Sequence, residues 1–415
     1  MDSGQAPAIR EIAANWGGRS VIAVVDLDAV AANVQTIRAQ IGPDVQLMAV
    51  VKANGYGHGA VPVAKAAHAA GASALGVATV DEGVQLRLAG IEAPILVLGA
   101  LGAAERARAI GARLGIVVSD AGFARGLASE AAASLSKEPV SVHLKIDTGM
   151  RRFGVTPEDV VDVARAIGAL GQLRLDGVMS HLAAADDADA DAVHDQVACF
   201  DRCINAMRAA GTTIPPQHLA NSAATLRFPG YHRDMVRLGI AMYGLSPGES
   251  IPLPPPMKPV MTIHGRIARV IDLAPGDRAG YGGAYKAESH ERAALVTLGY
   301  ADGFRRALSP GGWMSIRGQR ADVIGRVSMD QTVVRVPAGI EIEAGEPVTI
   351  AGDGTLATTG APTLDDLAPI AGTIGYELAA GLAPRLTRLY VRGGEVVAIA
   401  DLSGYRELVT TGSKE

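Results

Sequence analysis

Between about residue 20 and residue 250, runs of consecutive apolar residues alternate with Ala-rich stretches whose apolar positions return every three to four residues. Eight such runs stand out: VQLMAVVK (45–52), SALGVAT (73–79), APILVLG (93–99), RLGIVVS (113–119), VSVHLKID (140–147), RLDGVMSH (174–181), PQHLANS (216–222) and DMVRLGI (234–240). Segments of helical period such as AVPVAKAAHAAGA and TVDEGVQLRLAGI lie between them. Continuous rather than alternating apolar runs are what parallel strands need when helices cover both faces of their sheet. Eight strand–helix units predict an α/β fold, a (β/α)8 TIM-type barrel of about the usual 250 residues, with a doubly wound open sheet as the alternative. The pattern changes at SPGESIPLPPPMKPV, where five prolines between positions 252 and 259 preclude a helix. Beyond it, MTIHGRIARVIDL and ERAALVTLGY read as strands between Gly/Pro turns, and one helix is expected near TLDDLAPIAG. We therefore expect a barrel over residues 14–250 and a mainly β C-terminal domain over 258–415.

Composition narrows the function classes. With 48% apolar and 20% charged residues, the 415-residue chain can bury a large core and does not resemble a disordered sequence. A net charge of −5, with basic residues scattered, gives no reason to expect nucleic acid or an anionic membrane as a partner. No uncharged apolar run approaches membrane-spanning length, and the first twenty residues lack the apolar core of a signal peptide. The two cysteines, Cys199 and Cys203, are spaced for one helix face rather than for a disulfide or a metal site. A cytoplasmic protein without a metal is expected.

In a barrel of this kind chemistry gathers at the C-terminal ends of the strands. Here those ends carry Lys52, then Lys145 and Asp147, then His181, then Asn221 and Ser222, then Arg237. Each alone has a structural explanation: a solvated lysine, a hydrogen-bonded histidine, an N-cap serine, half of a rim ion pair. Independent structural residues have no reason to gather on one rim, and five of the eight ends deliver a functional side chain there. The segment AVVKANGYGHGA adds an amine able to form a Schiff base if its pKa is lowered, and the hydroxyl of Tyr56. Its Gly55, Gly57 and Gly59 let the backbone pass close to something bulky. Asn221 and Ser222 at a helix start, with the Gly239 and Ile240 amides of VRLGIAMYG, suit an anion such as phosphate. A lysine aldehyde trap opposite a phosphate cradle describes pyridoxal 5'-phosphate, with Arg237 as candidate partner of the pyridine nitrogen.

The same blocks resemble the alanine racemase family over nearly the whole chain: AVVKANGYGHGA, LKIDTGMRRFG, ANSAAT, VRLGIAMYG, LGYADGFRR with GRVSMDQ, and TIGYE. The resemblance implies a pyridoxal-phosphate-dependent racemase acting on alanine by two bases, Lys52 and Tyr281, on opposite faces of the substrate carbon. Tyr281 would reach across from the partner subunit of a homodimer. Arg152 would contact that tyrosine and the substrate carboxylate, and Lys145 occupies a position that many members carbamylate. His181 would stand near the cofactor ring and link Tyr281 to Arg237. Tyr56, Ser222, Tyr376 and the Gly239 and Ile240 amides would hold the phosphate, with Asn221 beside them. Met329 would help bind the substrate carboxylate with Asp330 next to it, and Tyr300, Arg326 and Tyr376 would line the mouth. Gly55, Leu238 and Ser328 stand where Ala, Pro and Cys are common in the family, and Arg151 competes with Arg152 for the inward position.

Two bases make physical sense, because racemisation removes a proton from one face of a carbon and delivers one to the other. An arginine at the pyridine nitrogen keeps its proton, leaving a weaker electron sink that disfavours decarboxylation. The alternatives are a racemase of broader range, a decarboxylase of basic amino acids and a non-catalytic pyridoxal-phosphate carrier. The β domain with Tyr281 and Met329 speaks against the carrier.

Overall fold

The computed structural model describes residues 11–12, 16–134, 138–354 and 360–408. A first strand, β1 (Ile22–Asp26), is followed by eight parallel strands, one at each of the eight apolar runs: β2 (Gln46–Val50), β3 (Ala74–Val77), β4 (Ile95–Val97), β5 (Gly115–Val118), β6 (Val140–Lys145), β7 (Leu173–Met179), β8 (Gln217–His218) and β9 (Met235–Leu238). Their order is β8-β7-β6-β5-β4-β3-β2-β9. Between the two end strands, Asp234 N–H donates to Gln217 O (3.1 Å) and Arg237 N–H to Ala220 O (2.9 Å), so the ring is nearly closed. The result is the TIM-type barrel, with helices outside.

Strand periodicity explains why these runs are apolar on both faces. Met48, Ala74, Leu96, Val117, Met179 and Met235 form a small cluster inside the ring. Their strand neighbours, among them Leu47, Ala49, Ile116 and Val236, join the large core beneath the helices. The same alternation turns His143 and Lys145 of β6, His218 of β8 and Arg237 of β9 inward, and all four are buried. The lower barrel is filled with apolar side chains and the upper barrel with cations and imidazoles.

β1 departs from the expected division of the chain. It was counted with the barrel over residues 14–250, yet it pairs antiparallel with β10 (Met261–Leu273) and parallel with the strand Thr387–Arg392. β1 therefore belongs to the second, mainly β layer, and from it the chain enters the barrel through the helix Leu27–Ile41. Asp26 caps that helix, its Oδ1 accepting from the N–H groups of Asp28 and Ala29, both at 2.9 Å. The expected helix near 363–372 is short, Leu364–Leu367, and a second one, Gly375–Ala380, follows.

The proline-rich connection is packed rather than free. Buried Asn33 donates to Met242 O (3.0 Å) and Lys258 O (2.9 Å) and accepts from Lys258 N–H (3.2 Å), strapping both ends of the connection to one helix. Gly244, at φ +70°, is obligatory there, since a Cβ would lie 1.8 Å from Lys258 O. One apolar cluster runs from Val21 through the barrel helices to Ala398, so the two layers share a core. Among the described residues no helix is long and apolar enough to cross a membrane.

Candidate active site

β2 stops at Val50, and Lys52 opens a turn in the left-handed helical region: φ is 52° at Ala53, 54° at Asn54, 61° at Gly55, 49° at Tyr56 and 79° at Gly57. This conformation costs roughly 1–2 kcal/mol per non-glycine residue, so Ala53, Asn54 and Tyr56 together need about 3–6 kcal/mol of local compensation. Backbone bonds Gly55 N–H to Val51 O (2.8 Å) and Gly57 N–H to Ala53 O (2.9 Å) supply part of it. Asn54 Oδ1 accepts from Ala60 N–H at 3.0 Å. Glu82 Oε1 accepts from Ala53 N–H at 2.6 Å. Two of the three glycines are required by the fold: a Cβ at Gly57 would lie 1.9 Å from Ala379 O, and one at Gly59 2.0 Å from the Tyr390 hydroxyl. The second layer presses directly on the lysine turn.

Above the strand ends lies a cavity of about 500 Å³. Lys52 and Tyr56 reach it from the turn, Lys145 and Arg152 from β6 and the loop beyond, and His181 from the end of β7. Asn221 and Ser222 border it after β8, Arg237, Gly239 and Ile240 at the end of β9, and Tyr376 from the second layer. Of the two adjacent arginines, Arg152 borders the cavity, while Arg151 turns away at φ 55° with its N–H on Asp147 Oδ1 (3.0 Å).

Among the described residues no carboxylate lines this cavity, and the cations depress one another. Burial first, then Arg152 and Arg237, pulls the Lys145 amine down to about 8; its Nζ sits 4.7 Å from the centre of the Phe153 ring. Lys52 is lowered by burial and then by Arg152, with Glu82 opposing. Burial, Arg237 and Arg152 hold His181 well below the usual histidine range. Arg237 stays a cation and is fixed by its donors: NH1 to His218 O (2.7 Å), NH2 to Ser180 O (2.8 Å) and to Leu219 O (3.0 Å).

The same guanidinium sets the tautomers around it. Arginine can only donate, so His218 Nδ1 (3.1 Å from NH1) and His181 Nδ1 (3.3 Å from NH2) are acceptors. His181 then carries its proton on Nε2. His218 does likewise and donates from Nε2 to His143 Nδ1 at 2.8 Å. A chain of neutral imidazoles thus supports the arginine from inside the barrel. Gly177 makes room for it, since a Cβ there would lie 2.2 Å from His143 Nδ1.

Opposite Lys52, Ser222 Oγ accepts from the N–H groups of Gly239 (2.9 Å) and Ala241 (3.4 Å). A Cβ at Gly239 would fall 2.8 Å from the Tyr56 hydroxyl and 3.7 Å from Ser222 Oγ, so the bare backbone keeps a small concave space lined with hydroxyls and amides. Burial pushes the Tyr56 and Tyr376 hydroxyls up, which keeps them as neutral donors. This donor set fits a phosphate, and an unpaired amine across the cavity fits an aldehyde. Asn221 is a supporting residue: its Oδ1 caps Ala224 N–H (3.0 Å) and its Nδ2 donates to Leu182 O (3.3 Å).

Tyr281, Tyr300, Met329 and Asp330 do not border this cavity. All four belong to the second layer, where Tyr300 N–H donates to Ser328 O and Ala301 N–H to Met329 O, both at 3.0 Å, joining the Tyr300 and Met329 segments. Tyr281 is 66% exposed, Met329 52% and Tyr300 41%. Asp330 is tied to Arg385 NH2 (2.7 Å), whose guanidinium also grips buried Asp302. Sequence reasoning missed Glu82, His143 and His218. The histidines had a signal, His143 standing two residues before Lys145 on the same strand face. Glu82 showed only as the fourth residue of a capping box begun by Thr79, a helix-start signature that does not reveal its bond to Ala53.

Residues 25–247 match the family model described as alanine racemase, N-terminal domain, and residues 260–390 that of alanine racemase, C-terminal domain. The chain belongs to the alanine racemase family. It is 40% identical over 377 residues to an alanine racemase of Nostoc sp., covering 91% of this chain and 97% of that one. Among solved racemase structures, that of alanine racemase from Streptomyces lavendulae superposes with a TM-score of 0.86 at 37% identity, covering 91% and 98% of the two chains. The alanine racemase of Bacillus anthracis, solved with bound L-Ala-P, superposes with a TM-score of 0.85 at 35% identity, covering 92% and 98%. Membership makes the protein an isomerase, and the racemases share its sequence of barrel then β layer.

Proposed function

We propose that the protein interconverts L-alanine and D-alanine, using pyridoxal phosphate held by Lys52 and a second base, Tyr281, from another copy of the chain. The observation that carries this reading is the pairing, across one cavity, of a lysine amine lowered by burial with the Ser222–Gly239–Tyr56 cradle. Family membership supports alanine as substrate, and the Bacillus anthracis relative was solved with bound L-Ala-P.

When bound, pyridoxal phosphate supplies the electron sink that makes an amino acid's α-proton removable. The residues of the chain do the rest. Tyr56, Ser222, Tyr376 and the Ile240 amide would grip the phosphate, while the Gly239 N–H, already bonded to Ser222 Oγ at 2.9 Å, would orient that hydroxyl. Arg237, already fixed by backbone carbonyls, would meet the pyridine nitrogen with a proton it does not give up. Lys52 Nζ would take or return the α-proton on one face, and the Tyr281 hydroxyl would do so on the other. Arg152 and the Met329 N–H would hold the substrate carboxylate. The exposure of Tyr281 and Met329 on the second layer supports their serving the cavity of another copy, and hence a homodimer. The free Cys199 and Cys203 support a cytoplasmic location.

Incubation with pyridoxal phosphate and a panel of L-amino acids in D₂O, read by chiral chromatography and mass, tests the reading. D-alanine carrying deuterium at the α-carbon should appear well ahead of any other product. Comparable inversion of several amino acids would point to a broad-range racemase, and no deuteration anywhere would defeat the assignment.

A further inference from the structure

One carboxylate lies just behind the cavity wall and takes no part in the scheme above. Glu82 belongs to the helix Val80–Leu88 that follows β3. Its Oε2 accepts from the N–H groups of Ala78 (2.7 Å) and Thr79 (3.2 Å) at the start of its own helix. Its Oε1 crosses to the neighbouring barrel unit and accepts from Ala53 N–H at 2.6 Å. Ala53 is the residue after Lys52 and the first in the left-handed turn. A helix needs only the Oε2 contacts to be capped; the Oε1 bond has no capping purpose. Among the described residues no cation forms an ion pair with Glu82, and its carboxylate is held by the backbone amides of Ala53, Ala78 and Thr79.

The surroundings of Lys52 make that charge consequential. Facing the amine are the cations Arg152 and Arg237, the Lys145 amine, the neutral imidazole of His181 and the phenol of Tyr56, with no acid in the cavity lining. Burial, Arg152 and Arg237 all disfavour a proton on Lys52, and Glu82 is the carboxylate that opposes them.

We propose that Glu82 is a positioning residue for Lys52: one carboxylate oxygen clamps the turn that aims the amine, and the fixed charge helps that amine hold a proton. An amine that must accept a proton from a substrate carbon needs such an anion, and placing it behind the backbone keeps it from pairing with substrate or cofactor. The inference rests on the reading of Lys52 as the cofactor lysine.

The test is the pH dependence of pyridoxal phosphate uptake by the full chain after removal of bound cofactor. Uptake is followed by absorbance, and the adduct is located by borohydride trapping and mass. Attack on the aldehyde needs the neutral amine, so the uptake rate rises with pH to a plateau with its midpoint at the amine's pKa. In Glu82→Gln the midpoint should fall by about one unit, because an opposing charge is gone. In Glu82→Asp the charge stays while the shorter side chain cannot reach Ala53, so the midpoint should hold and the plateau rate should drop about tenfold. A residue that merely stabilised the fold would lower the plateau of Glu82→Gln without moving its midpoint. A wild-type midpoint in Glu82→Gln overturns the charge role. If that variant does not fold, a wild-type plateau in Glu82→Asp overturns the clamp. Absence of any trapped adduct on Lys52 in the wild-type chain would instead strike the functional reading itself.

Discussion

Arg237 shows how a single charged side chain organises its neighbours. Enclosed by the barrel, it is pulled down by burial to about 10 and still remains a cation at neutral pH. Its fixed donors force His181 and His218 to accept, and burial holds His143 and His58 at about 4. These histidines fold as neutral groups, whereas in the unfolded chain each takes a proton near pH 6.5. The unfolded state therefore binds more protons between pH 6.5 and 4, so stability is full above 6.5 and falls as the pH drops through that window. Each of His58 and His143 can contribute up to roughly 3 kcal/mol to that loss. Thermal unfolding of the apoprotein should show a melting temperature falling steeply from pH 6.5 to 4, and His58→Gln should make the slope shallower. An unchanged slope would mean that His58 is protonated in the fold. Lys145 behaves oppositely in use: lowered to about 8, it offers more neutral amine at neutral pH than an ordinary lysine. Carbon dioxide should therefore carbamylate it, and bicarbonate should restore activity lost by acid treatment, a rescue absent in Lys145→Ala.

At the scale of elements, the lysine turn is held by what presses on it. Gly57→Ala would bring a Cβ to 1.9 Å from Ala379 O at φ +79°, so a loss of at least about 3 kcal/mol and of pyridoxal phosphate binding is expected. Gly111→Ala, in the helix Arg106–Gly111 with open space around it, should stabilise by about 0.5–1 kcal/mol. Denaturant midpoints of the two variants check the pair, and a mild Gly57→Ala would show that the turn can relax. The eight barrel strands were legible because burial on both faces makes each a continuous apolar run. β1 was not, since its partners lie more than two hundred residues away in β10 and Thr387–Arg392, and nothing local tells a barrel strand from a strand of another sheet. The rim residues were legible from strand ends alone. The left-handed turn was only half legible: three glycines announced an unusual backbone, but the packing of the second layer, not a ligand, is what requires two of them. Glu82 was hidden because its bond joins two consecutive barrel units, and sequence spacing carries no trace of it.

For the whole molecule, the shared core and the Asn33 strap tie the β layer to the barrel. The β layer carries Tyr281, Tyr300 and Met329 as exposed side chains that do not border the cavity of their own chain. Under the proposed reading a second copy would present them to the cavity, so each site would take Lys52 from one chain and Tyr281 from another. Subunit mixing tests this most directly. Lys52→Ala and Tyr281→Ala variants, each with little activity alone, are unfolded together in equal amounts and refolded with pyridoxal phosphate before alanine racemisation is measured. Random pairing should restore about a quarter of wild-type activity, since half of the dimers are mixed and each mixed dimer holds one intact site. A mixture no more active than the separate variants would contradict the shared site and place both bases in one chain.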